Sequence, residues 1–171
     1  MKKNEDIRYE LSKGNIIFLL VYYSLYIIVG IAISIIELCF DKNILDMKML
    51  IIHMVISSFG VSGMLCSVQY IRRLYKACIT ERIKSEISEI GKIGTMVYFI
   101  FRPIFTFCFV IIIIVGLVSG MYVVTGSLDY VLNEKLIYVC MIMSAYIGYS
   151  IGNLIDRFES ISEKQIETLN M

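Results

Sequence analysis

Charge is scarce in this sequence: only 18% of its 171 residues are Asp, Glu, Lys or Arg, where soluble domains usually carry about 25%. That deficit excludes an ordinary water-soluble domain. Histidine and proline occur once each. The five cysteines, Cys39, Cys66, Cys78, Cys108 and Cys140, stand singly with no C-x-x-C pair, which removes support for a thiolate zinc site or a dithiol redox motif. A disulfide between Cys39 and Cys140 is chemically permitted on an outer face, and the plainer reading is five small apolar packing residues. Also missing are an H-E-x-x-H helix, a P-loop, a nucleophile with its base, and paired carboxylates within an apolar run. The expectation is therefore a protein that is not an enzyme, with no cofactor, no metal site and no nucleic-acid partner.

Hydrophobicity is what the sequence has in excess, at 58% of residues and a mean hydropathy of +0.77. Four apolar runs, at about 16–38, 50–70, 103–124 and 136–154, each hold roughly 20 residues, enough to cross a hydrocarbon core of about 30 Å. The first is preceded by a mixed-charge segment and followed by no A-x-A site, so it reads as a retained span rather than a cleaved signal peptide. The expected fold is all-α: a polytopic membrane protein, one domain of 1–171, built as a four-transmembrane-helix bundle. Net charge is +1, but its distribution is uneven. Thirteen of the sixteen Lys and Arg precede the first run, lie between Arg72 and Arg102, or follow the fourth. By the positive-inside rule both termini and the central segment face the cytoplasm.

Residues 1–14 suit either a short interfacial helix or a tail. Tyr22, Tyr23 and Tyr26 suit an aromatic belt or a packing contact. Glu37 falls near the outer end of the first run, where a solvated terminus is expected; its position argues against a small multidrug transporter. His53 has no Asp, Glu or Cys spaced to join it, so packing or a hydrogen bond is expected, with proton sensing as the sharper alternative. Small residues recur four apart in every run: Gly30 and Ser34; Ser58 and Ser62; Gly63 and Ser67; Gly116 and Gly120; Ser144, Gly148 and Gly152. With Gly60 they mark faces where helix backbones approach closely, within a chain or between chains, because lipid supplies no hydrophobic drive for association.

The second run continues without a breaker into a cytoplasmic helical arm over 71–96, giving a helix of about 63 Å from 49 to 90 at 1.5 Å per residue. Ile79, Ile83, Ile87 and Ile90 form its apolar stripe, with mixed charge between them that suits a partner helix. Gly91 and Gly94 should end the arm, with Thr95 capping the next helix. Arg72, Arg73 and Arg102 form a basic girdle at the inner membrane level, where Asp156 offers a counter-charge and lipid headgroups offer the alternative. Pro103 either opens the third span or kinks it. Residues 155–171 read as a short amphipathic tail helix.

Gly60, Gly63, Arg72, Tyr75, Arg102, Pro103, Gly148 and Ser150 together resemble a scattered group of small bacterial four-span membrane proteins. In that group a Gly-rich second span leads to an arginine and an aromatic, and Arg-Pro enters the third span. The resemblance covers the last two thirds of the chain and carries no assigned activity. Anti-phage systems, Kiwa among them, use small four-span membrane subunits, so a defence role is one setting the resemblance leaves open.

Two functions follow. The first is a homo-oligomer whose spans form a pore or gated ion channel, with Arg72, Arg73 and Arg102 as an anion-favouring ring. The second is a non-conducting scaffold or sensor whose arm recruits a soluble cytoplasmic partner. A proton-coupled transporter ranks behind both, for want of a mid-membrane acid. Membrane lipid is a partner in every case.

Overall fold

The computed structural model describes residues 11–39, 47–79, 89–126 and 134–169. Nearly all of them are helical: α1 (Lys13–Cys39), α2 (Met47–Ile79), α3 (Glu89–Thr125) and α4 (Glu134–Leu169). Each is long and apolar enough to cross a membrane. The chain is a multi-pass membrane protein with an all-α four-helix architecture. Ser12 starts α1 as an N-cap, its hydroxyl accepting from the Asn15 N–H at 3.3 Å. Gly126, at φ 72°, ends α3 in the left-handed conformation that a Cβ disfavours, and its N–H bonds back to the Tyr122 carbonyl at 2.8 Å.

α2 is the hub. It packs along α1 on one side and α4 on the other, and less extensively on α3. The small residues explain why. A Cβ on Gly148 would collide with the Ser62 backbone, and one on Gly152 with the Arg73 guanidinium. Gly30 sits against the Gly60 carbonyl, Gly60 against Ile33, and Gly63 against Tyr26 and Phe107. The serines of these faces turn inward on their own helix: Ser34 donates to the Gly30 carbonyl, Ser57 to His53, Ser62 to Phe59 and Ser67 to Gly63. Such back-bonding leaves no polar stripe from these hydroxyls along a span. The outward faces of α1 and α3 are apolar and exposed, as lipid requires.

Two boundaries differ from the sequence expectation. α3 begins at Glu89 and runs through Gly91, Gly94 and Thr95. The two glycines do not stop it, because a glycine costs a helix only about 1 kcal/mol. The expected arm over 71–96 is thus divided between the end of α2 and the start of α3, while 80–88 lie outside the described residues. The tail is likewise not separate; α4 passes Leu154 and Ile155 and continues to Leu169. Residues 1–10, where the interfacial helix was expected, also lie outside the described residues. All five cysteines are free, so Cys39 and Cys140 are not joined.

Pro103 lies inside α3, fully buried. It has no N–H, so the Phe99 carbonyl four residues earlier loses its helical donor. The Tyr23 hydroxyl of α1 donates to that carbonyl at 2.7 Å, and Tyr22 donates to the next one, Ile100, at 3.2 Å. The tyrosines of α1 are therefore packing and bonding residues, holding α1 to α3 at the proline.

Tyr23→Phe should lower stability by about 1 kcal/mol, the usual scale for a hydrogen bond between membrane helices. In a Pro103→Ala background, where the new backbone N–H can bond the Phe99 carbonyl, the same change should cost markedly less. Unfolding in mixed micelles measures both, and equal costs in the two backgrounds would reject the assignment.

Candidate functional site

Two polar constellations lie at opposite ends of the bundle. At the end where α2 finishes and α3 begins, Tyr70 is the centre of an aromatic cluster. Its ring stacks on Tyr23 with centroids 5.9 Å apart and meets Phe99 edge-on at 5.9 Å and Tyr98 at 6.5 Å. Tyr23, Tyr70 and Phe99 are completely buried. Two arginines flank this cluster. The Arg73 guanidinium lies 5.3 Å from the Tyr70 ring centre. Arg102 lies 4.0 Å from the Tyr98 ring centre and 5.9 Å from that of Tyr70.

Arg102 is only 3% exposed, and its Nη1 is buried with no hydrogen-bond partner among the described residues. Guanidinium is charged at every relevant pH. Removing it from water costs several kcal/mol, and a ring face returns only about 0.5–2 kcal/mol. The rings therefore leave part of that cost unmet. The Tyr70 hydroxyl and Gln69 Oε1 are also buried without partners among the described residues. This end of the bundle has donors and acceptors in place and, among the described residues, no carboxylate joining them.

The three girdle arginines separate in the structure. Arg73 and Arg102 converge on Tyr70, whereas Arg72 is exposed and donates to the Tyr149 hydroxyl of α4 at 3.3 Å. Arg73 reaches Asn153 Oδ1 at 3.5 Å, a long contact. The side chain of Asp156, the expected counter-charge, lies outside the described residues. Of the arm stripe, Ile79 is 61% exposed and Ile90 85% exposed; Ile83 and Ile87 lie outside the described residues. Tyr98 and Tyr70 were not singled out from the sequence. Their signal was present, since Tyr98 precedes Arg102 by four and Tyr70 precedes Arg73 by three, both helix-face spacings.

At the opposite end, Glu37 and His53 correct the sequence reading twice. Glu37 is 3% exposed rather than a solvated terminus. His53 does have an acidic neighbour: its Nδ1 lies 3.1 Å from Glu37 Oε2. Sixteen residues and a turn between helices separate them, so no spacing rule within one helix could find the pair. A buried carboxylate requires such a donor, and the bond fastens the end of α1 to the start of α2.

No group of three or more His, Cys, Asp or Glu able to hold a metal occurs among the described residues. No protein-family model matches the chain, and no curated protein or solved structure matches it.

Glu37→Ala and His53→Ala should each destabilise the fold, and the double variant should cost about 1 kcal/mol less than their sum, as bonded neighbours do. Strict additivity in unfolding measurements would show that the two side chains do not act together.

Proposed function

We propose that this chain is a homo-oligomeric, non-conducting membrane scaffold or sensor of a bacterial inner membrane, with both termini cytoplasmic. One observation carries the assembly: the face of α3 that presents Gly116 and Gly120. A Cβ built on either glycine meets nothing within 4 Å, unlike the glycines of α2 and α4. A shallow groove of about 330 Å³ lies there, lined by Gly116, Leu117, Gly120, Met121 and Val124. Two small residues four apart on an exposed membrane helix let a second backbone approach closely, and that approach is the main source of helix affinity in lipid.

The engagement of the arginines favours a scaffold over a pore. A ring that attracts anions needs its cationic groups to converge on one lumen. Here Arg72 is exposed and bonds to Tyr149, whereas Arg102 is buried against the Tyr98 ring. The exposed Ile79 and Ile90 are the described ends of the stripe to which a soluble partner would bind. Anti-phage defence is one setting in which the resemblance noted above would put such a scaffold.

The mass of the protein in nanodiscs tests the assembly. A multimer is expected, and Gly116→Leu with Gly120→Leu should raise its dissociation constant by at least about tenfold, equivalent to 1.4 kcal/mol. The double variant should keep the fold of the monomer, because that face is open, whereas Gly148→Leu should disrupt α2 against α4. A monomeric wild type overturns the assembly. Steady ion currents across planar bilayers would overturn the non-conducting role and restore the pore.

A further inference from the structure

A groove of about 450 Å³ runs along α3 beside α4, on the side of the aromatic cluster that faces outward. Val97, Phe101, Phe105 and Phe109 succeed one another every four residues and form its floor, and Ile155 of α4 closes one side. Val97, Phe101 and Phe105 are exposed. From Arg102 the floor continues seven residue steps to Phe109, about 10 Å at 1.5 Å per residue, most of one leaflet's half of a hydrocarbon core of about 30 Å. This apolar channel has one charged wall, Arg102, with Tyr98 beside it.

We infer that the groove holds one anionic phospholipid, its phosphate taken by the Arg102 guanidinium and an acyl chain laid along Phe105 and Phe109. Three features converge on this occupant. Arg102 is nine-tenths buried, and its Nη1 has no acceptor among the described residues, while the neighbouring rings are neutral. A phosphate offers that fork two oxygens at once, the geometry guanidinium binds best. The polarity also runs the right way along the helix: Arg102 lies toward the start of α3, and Phe105 and Phe109 continue from it toward the middle of the span. Arg72 and Arg73 on α2 add positive potential at the same end, which favours an anionic headgroup over a zwitterionic one. Free phosphate would satisfy Arg102 and leave the apolar floor unused. The site lies within a single chain and is independent of whether copies assemble.

Native mass spectrometry of the full protein, released from nanodiscs of defined lipid, tests the inference. Phosphatidylglycerol should remain as a one-to-one adduct per chain, preferred by at least about fivefold over phosphatidylcholine, whose phosphate is offset by its own choline; that is the scale of one basic residue's attraction to an anionic headgroup. Arg102→Gln should abolish that preference, Arg72→Gln should lower it in part, and Lys135→Gln, at the opposite end of the bundle, should keep it. Should Arg102→Gln fail to fold, Phe105→Trp, which fills the groove from its exposed side, should weaken the adduct while Arg102 stays intact. Equal retention of the two lipids by the wild type overturns the site. Displacement of the lipid by millimolar inorganic phosphate alone would also overturn it, showing a free-anion site without acyl recognition.

Discussion

In hydrocarbon a backbone carbonyl without a donor has no water to turn to, and the architecture at one end of this bundle follows from that constraint. Pro103 deprives Phe99 of its helical bond, and Tyr23 of α1 supplies the replacement at 2.7 Å. To reach that carbonyl, the tyrosine must be fully buried between α1 and α3. There its ring becomes one layer of the stack that continues through Tyr70. Arg102 immediately precedes the proline, so the same constraint that orders the tyrosines fixes the guanidinium over Tyr98 and near Tyr70. A single missing N–H thus accounts for a helix contact, an aromatic cluster and the setting of a buried charge.

The second constraint is backbone distance. α2 can contact all three other helices because its middle, from Ser57 to Ser67, carries glycine and serine where bulkier residues would hold the neighbours away. Close approach has an electrostatic consequence. It draws Arg73 of α2 onto the surface of α4 at Gly152, where a larger residue would occupy the guanidinium's place. Gly116 and Gly120 have the same composition but no neighbour among the described residues. The contrast separates the glycines over which α1, α2 and α4 pack from two that lie open on the outer face of α3.

At the far end, Glu37 and His53 solve a different problem. A carboxylate buried within apolar helices requires a hydrogen-bond donor, and the imidazole of the adjacent helix provides one. Each end of the bundle therefore has polar groups in a position where solvent cannot solvate them fully. At one end the acid is matched by a histidine; at the other the arginine is matched by ring faces. That difference makes the Arg102 end the one that calls for an external anion.

Hydrophobic run length alone determined the four spans, and with them the fold class, because crossing a bilayer requires about 20 apolar residues whatever the neighbours are. The small-residue faces were legible for a related reason: spacing by four places them on one side of a helix. Helix boundaries at Gly91 and Gly94 and after Leu154 were misjudged, since a glycine or a change in polarity weakens a helix without ending it. What only the tertiary structure decided was which polar group met which. Glu37 with His53, Tyr23 with the Phe99 carbonyl, and Arg102 with Tyr70 are partners across helices, set by the rotation and depth of each span. The sequence records the depth of a residue along its span, but the direction it faces is fixed only when the helices pack.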